Sequence, residues 1–96
     1  MANGEHKFNF RGETMFLVET KYLFNGNLGL VVYDENGEDY ATATLNICPL
    51  PENQLIADTK NCPELIEALA SQGFIRKAGY SVRSRFRSYP VYTFLK

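Results

Sequence analysis

The chain has 96 residues, of which 45% are hydrophobic and 22% charged, with a formal net charge of −1. This composition excludes a disordered or collagen-like chain and indicates one domain, residues 1–96, with a single modest core. No apolar run approaches the ~20 residues of a membrane-spanning helix, and the polar N-terminus lacks the apolar stretch of a secretory signal. We therefore expect a cytoplasmic protein without a membrane segment.

Period-two alternation predicts that the chain begins with four strands. Residues 14–24 are rich in β-branched and aromatic side chains and contain neither Pro nor Gly. Asn-Gly pairs lie at 25–26 and 36–37, and both residue types tolerate the positive φ of tight hairpin turns. The order of strands and turns predicts a β-meander. Its strands are predicted around Phe8 and Phe10 and at 14–24, 28–33 and 40–47.

Two prolines end the predicted meander. Pro49 and Pro51 cannot donate to a strand ladder, so the last meander strand stops before them. Residues 52–60 then form a connection, with a short extended piece at 55–57.

One helix is predicted after this connection. Asn61 is expected to cap it, Pro63 suits its first turn, and Glu64 stands three residues after Asn61 as in a capping box. Gly73 is a C-terminal stop signal. The pattern therefore predicts a helix between Asn61 and Gly73.

Strand character returns after the helix, from Phe74 and again at 89–95. The predicted fold class is therefore α+β. It consists of an antiparallel meander sheet of about six strands in the order ββββαββ, with the helix packed on one face.

The charges are divided unequally along the chain. Residues 1–67 hold all 11 acidic residues against four basic ones, a net charge of −7, whereas the rest of the chain has six basic residues and no acidic ones. We expect cross-strand pairs inside one sheet to compensate most of this charge. The other reading, in which patches of opposite sign face outward toward a partner, stays open. The six basic residues are Arg76, Lys77, Arg83, Arg85, Arg87 and Lys96.

Arg83, Arg85 and Arg87 form the most conspicuous basic run. On a strand their side chains would share one face, at a spacing of ~6.8 Å that is close to the phosphate repeat of an extended single strand. Tyr80 and Tyr89 could then stack on bases. Charged side chains on an edge strand also discourage aggregation, and we favour that simpler interpretation.

The second candidate surface is an acidic turn formed by Asp34, Glu35, Glu38 and Asp39 around Asn36-Gly37. A calcium loop would need about twelve residues and a distal bidentate Glu, which the sequence does not supply in register. We expect a solvated turn. The alternative is a negatively charged protrusion that binds a basic protein surface.

Nothing in the sequence predicts a catalytic, metal or cofactor site. Cys48 and Cys62 match no zinc spacing and are expected to be reduced thiols. His6 is the one histidine and lies near an end that we expect to be frayed.

The chain resembles a domain-of-unknown-function family of small bacterial proteins. The segment 79–94 carries the family's ending, with a Gly, an Arg-Ser pair, a Phe and then Tyr-Pro-x-Tyr-x-Phe. Residues 58–63 and 8–13 are similar to its pre-helix segment and its opening strand and turn. The resemblance implies an origin in plasmids, conjugative elements or phages of gut-type bacteria and implies no activity. Arg85 and Arg87 depart from the small or neutral residues that are usual there.

We therefore expect a non-catalytic interaction protein of a bacterial mobile element that binds a protein partner, such as an inhibitor of host defence or an accessory factor. The alternative is a nucleic-acid-binding module that uses the basic C-terminal hairpin. A homodimer is left open, and the sequence does not name the partner.

Overall fold

The structure, a computed structural model, describes residues 5–95. These residues form one helix and eight strands. The first four residues of the polar N-terminus, and Lys96 of the basic segment, lie outside the described residues. The α+β class is confirmed. The elements are β1 (Glu5–Phe10), β2 (Glu13–Lys21), β3 (Leu28–Asp34), β4 (Asp39–Thr42), β5 (Thr44–Leu45), β6 (Gln54–Ala57), α1 (Pro63–Ser71), β7 (Ile75–Ser84) and β8 (Arg87–Phe94).

The strands form two antiparallel four-stranded sheets. The first has the order β1-β2-β3-β4, which is the meander that the alternation and the Asn-Gly turns predict. The second has the order β5-β6-β8-β7. The prediction of a single sheet of about six strands is therefore wrong. The short extended piece expected at 55–57 is a full member of the second sheet.

The two sheets arise because the strand predicted at 40–47 bends at Ala43. Before the bend, Thr42 pairs with Val31 of the first sheet, and after it Thr44 pairs with Ala57 of the second. The Ala43 N–H donates to the Leu30 carbonyl at 2.8 Å, and its own carbonyl accepts from Asp58 N at 2.9 Å. One chain segment thus changes sheets at a buried corner, as strands do in orthogonal sheet packings.

A single apolar cluster joins both sheets and the helix. Alternate residues of β1, β2, β3, β6 and β8 enter it, so the period-two pattern marks the inward faces of these strands. The helix adds its apolar stripe. The buried cluster comprises Phe8, Phe10, Met15, Leu17, Leu30, Val32, Ala43, Leu55, Ala57, Leu65, Ile66, Leu69, Phe74, Ile75, Tyr92 and Phe94.

The helix begins differently from the sequence prediction. Cys62, not Asn61, is the N-cap residue, and it makes no side-chain capping hydrogen bond. The Asn61 amide instead donates to the Asp58 carboxylate at 3.1 Å, so the predicted capping box does not form. Pro63 occupies the first turn as predicted.

The helix ends as the sequence predicts. Gly73 adopts a φ of +84°, a left-handed conformation that strains other residues. Its N–H donates to the Ala70 carbonyl at 3.2 Å, and Phe74 N donates to the Leu69 carbonyl at 3.0 Å. This pair of bonds is the Schellman motif.

The opposite charges of the chain do not pair as expected. Among the described residues, basic and acidic side chains are in contact at Arg11–Glu64 and at His6–Glu19, and neither contact uses a basic residue of the C-terminal segment. The cause is topological, because β7 is an edge strand whose sheet neighbour is β8 of the same basic segment. The meander strands, which carry many of the acidic residues, belong to the other sheet. The cross-strand ion pairs predicted between the two charged segments are therefore not formed among the described residues.

Candidate interaction surfaces

The connection between β2 and β3 presents two large apolar side chains to solvent. The sequence pattern predicts a strand at 14–24 that includes Leu23 and Phe24, but β2 ends at Lys21. Both side chains are fully exposed, with no part in the core. We call the segment from Tyr22 to Asn27 the apolar loop.

Asn27 anchors the apolar loop to the rest of the fold. It is only 7% exposed. Its amide nitrogen donates to Asn46 Oδ1 at 2.9 Å and to the Cys48 carbonyl at 2.7 Å, while its Oδ1 accepts from Leu50 N at 3.1 Å. These bonds tie the loop to the segment that follows β5.

Further hydrogen bonds close the loop on itself. Tyr22 N donates to the Asn27 carbonyl at 2.9 Å, and Gly26 N donates to the Tyr22 carbonyl at 2.8 Å. The Tyr22 hydroxyl lies 3.0 Å from Thr44 Oγ1. The apolar loop is therefore an ordered turn that holds Leu23 and Phe24 outward.

A depression of about 250 Å³ lies beside the base of the apolar loop. Both charged and apolar residues line it. Leu23 and Phe24 therefore protrude next to a concave surface, a shape to which a complementary protein surface can bind. The lining residues include Lys21, Asn27, Leu28, Leu50, Pro51 and Glu52.

The second surface is the outer part of the β7–β8 hairpin. The last pair between β6 and β8 is Ile56–Val91, so the residues beyond it pair only within the hairpin. Its two strands are joined at the tip by Arg85 and Phe86. We call residues 81–90 the basic ribbon.

The three arginines of the basic ribbon do not share one face. Arg83 pairs with Ser88, whereas Arg87 pairs with Ser84 one position further along. Successive pairs in a ladder point to opposite faces, so Arg83 and Arg87 lie on opposite sides of the ribbon. Arg85 sits in the turn with a φ of +58°. The predicted one-sided arginine track is wrong, because a turn interrupts the strand that it assumed.

Phe86 is fully exposed at the tip of the basic ribbon. No Gly, Asn or Pro marks this turn, so sequence reasoning had no turn signal to place it. In the apolar loop, two consecutive apolar residues, Leu23 and Phe24, interrupt the alternation before Asn25. This interruption is the sequence signal that the strand ends before them.

The two tyrosines proposed as stacking residues differ in their surroundings. Tyr80 is 46% exposed, and its hydroxyl donates to the Gln54 side-chain carbonyl. Tyr89 is half-buried and pairs with Val82 in the ribbon. The Tyr80 hydroxyl is thus tied to β6 of the same sheet.

The acidic turn is built around Asp34. Its Oδ1 accepts from Asn36 N at 2.9 Å and from Glu38 N at 3.0 Å, so this carboxylate stabilises the turn itself. Glu35, Glu38 and Asp39 are exposed. Within residues 5–95, no group of three or more His, Cys, Asp or Glu side chains could hold a metal ion.

His6 is not on a frayed end. It lies in β1, where its Nε2 is 2.9 Å from Glu19 Oε2 and its ring contacts Phe74 and Phe94. The histidine therefore packs between β1 and the second sheet.

The two cysteines are free thiols. Burial raises the pKa of the Cys62 thiol, and the nearby Asp58 carboxylate raises it further. Both causes disfavour the thiolate, which is the nucleophilic form.

Comparison with known proteins finds no family model, no curated protein and no solved structure that matches the chain. The family resemblance of the sequence therefore stays a prediction. Among the described residues, no helix is long and apolar enough to cross a membrane.

Proposed function

We propose that the protein is a non-catalytic interaction protein that binds another protein through the apolar loop. The observation that carries this proposal is the full exposure of Leu23 and Phe24 on a turn fixed by the buried Asn27. Side chains of this kind lower solubility when they face water, and they stabilise a complex when they enter a pocket.

The energetics of the loop favour this use. Full burial of a Leu or Phe side chain contributes roughly 1.5–3 kcal/mol. An ordered loop loses little conformational entropy on binding, so most of that gain would remain in the affinity. The hydrogen bonds of Tyr22 and Asn27 thus prepare the loop for binding before any partner arrives.

The surroundings favour a protein pocket over an anionic lipid surface. Lys21 lies at the loop base, but the acidic residues Glu19 and Glu52 line the same depression. An anionic bilayer would select a basic rim, because polybasic segments supply the attraction. A mixed rim beside an apolar projection is typical of protein–protein interfaces.

The biological setting is proposed from the sequence resemblance. We propose a product of a bacterial mobile element that acts in the cytoplasm as an inhibitor of host defence or as an accessory factor. In this setting the apolar loop would contact a host or element-encoded protein.

Capture from a bacterial lysate tests the proposal. The immobilised protein and the L23S/F24S variant are compared at ~0.15 M and ~0.5 M salt. We expect a specific protein that the wild type retains at both salt concentrations, because apolar contacts are not screened, and that the variant loses.

F86S is the matched control, since it also removes a fully exposed Phe at a hairpin tip. It should retain the captured protein. Equal capture by the L23S/F24S variant, or turnover of a small molecule by the purified protein, would contradict the proposal.

A further inference from the structure

We propose that the basic ribbon is a second binding site, which inserts into the major groove of duplex DNA. It lies on β7 and β8, and the apolar loop lies between β2 and β3. The inference therefore goes beyond the proposed protein-binding function and does not depend on it.

The shape of the basic ribbon fits this groove. The four residues from Ser81 to Ser84 pair with Arg87 to Pro90 and with no other strand. At ~3.4 Å per residue, each strand projects ~10 Å before the turn. The major groove of B-form DNA is ~12 Å wide and ~8.5 Å deep and admits a two-stranded ribbon.

The arrangement of the arginines fits the two walls of a groove. Arg83 lies on one side of the ribbon and Arg87 on the other, with Arg85 at the tip, and all three are exposed. A groove has a row of phosphates along each wall, so arginines on both sides can each reach one. A flat acidic protein surface would engage one side only and leave the other in solvent.

The charges of the ribbon are available for an external anion. None of the three arginines takes part in an ion pair within residues 5–95. The chain has no acidic residue after Glu67, and strand β6 next to β8 has none. Asp58, which follows β6, is buried and accepts hydrogen bonds from Asn61. The local potential is therefore positive although the net charge of the chain is −1.

Phe86 supplies an apolar contact at the deepest point of insertion. It is fully exposed between Arg85 and Arg87. In the major groove of a duplex, an apolar side chain such as Phe can contact the methyl group of thymine. Phosphate contacts of the arginines and an aromatic contact at the tip together give binding with weak sequence preference.

Fluorescence anisotropy with a labelled 20-base-pair DNA duplex, recorded from ~25 to ~300 mM salt, tests the inference. We expect binding whose log affinity falls against log salt with a slope of about −3, which corresponds to three phosphate contacts. Arg83→Ala, Arg85→Ala and Arg87→Ala should each reduce the slope by ~0.9, and the Arg→Lys variants should keep it.

Matched variants separate insertion from general charge attraction. Arg76→Ala removes the same charge from the other end of β7, where Arg76 pairs with Thr93, and it should leave the slope unchanged. Phe86→Ala should weaken binding about tenfold at an unchanged slope, because the variant loses only the apolar contact. The L23S/F24S variant should bind DNA like the wild type.

Other polyanions complete the test. Double-stranded RNA has a deep, narrow major groove, so it should bind at least about tenfold more weakly than the DNA duplex. Circular dichroism of each variant confirms that it is folded. Absence of DNA binding at ~25 mM salt, an Arg76→Ala effect equal to that of Arg83→Ala, or equal affinity for double-stranded RNA, single-stranded DNA or polyglutamate would each overturn the inference.

Discussion

At the scale of single residues, Asn27 connects the fold to the proposed function. Its buried amide group serves three partners on the chain segment that follows β5. The sequence predicted a turn at 25–27, but it gave no sign that the second asparagine is an internal bridge. Such a role depends on partners about twenty positions away in the sequence, and a local sequence pattern does not show which distant residues meet.

Asn27→Ala should lower the free energy of unfolding by about 1–3 kcal/mol, because the Cys48 carbonyl and the Leu50 N–H lose their partner. Urea denaturation measures the change. Asn9→Ala is the control, since Asn9 is exposed and its hydrogen bonds to Gln72 use backbone atoms. A loss for Asn27→Ala no larger than for Asn9→Ala would show that the bridge is not formed.

Cys62 provides a second test at this scale. Its raised pKa lowers the fraction of thiolate at any pH below that pKa, so the folded protein should react slowly with iodoacetamide at pH ~8. Addition of ~6 M urea should restore the rate of an ordinary cysteine. Mass spectrometry of the Cys62 peptide gives both rates, and equal rates in the two conditions would contradict the burial of this thiol.

At the scale of elements, the end of the helix is joined to the edge of the first sheet. Gln72 donates to the Asn9 carbonyl at 2.7 Å and accepts from Asn9 N at 3.4 Å. A side-chain amide here takes the place of a neighbouring strand, and it covers part of an edge that could otherwise pair with another chain.

Gln72→Ala should expose this edge locally. We expect faster hydrogen exchange of the Asn9 amide, with a stability loss below about 1 kcal/mol because the bonds are exposed. The Phe8 amide is the internal control, since the β1–β2 register directs it toward β2. Unchanged exchange at Asn9, measured by NMR, would contradict the bridging role of Gln72.

Sequence patterns predicted the elements better than their assembly. Alternation and Asn-Gly turns were sufficient for the first meander, and Gly73 for the end of the helix. The bend at Ala43 was not predictable, because it depends on hydrogen bonds to Leu30 and Asp58 from two distant segments.

The turn at Arg85 and Phe86 carries no glycine, so the pattern extends a strand through it. Leu23 and Phe24 continue the apolar composition of β2 up to the predicted turn at 25–27, so the pattern includes them in that strand.

At the scale of the whole molecule, the division into two sheets determines which surfaces are free. It places the basic C-terminal strands and the acidic meander in different sheets, and no ion pair joins them among the described residues. The basic ribbon therefore has a positive local potential although the net charge of the chain is near zero. The apolar loop and the basic ribbon are the two hairpin tips where large apolar side chains are fully exposed among the described residues.

The most direct test of the proposed function is the dissociation constant of the captured protein partner for the wild type and for L23S/F24S. Burial of both side chains predicts a loss of at least about 100-fold, with F86S within about threefold of the wild type. Isothermal titration calorimetry at ~0.15 M salt gives these values. An L23S/F24S variant that binds its partner within about threefold of the wild type would contradict the assignment of the apolar loop as the protein-binding site.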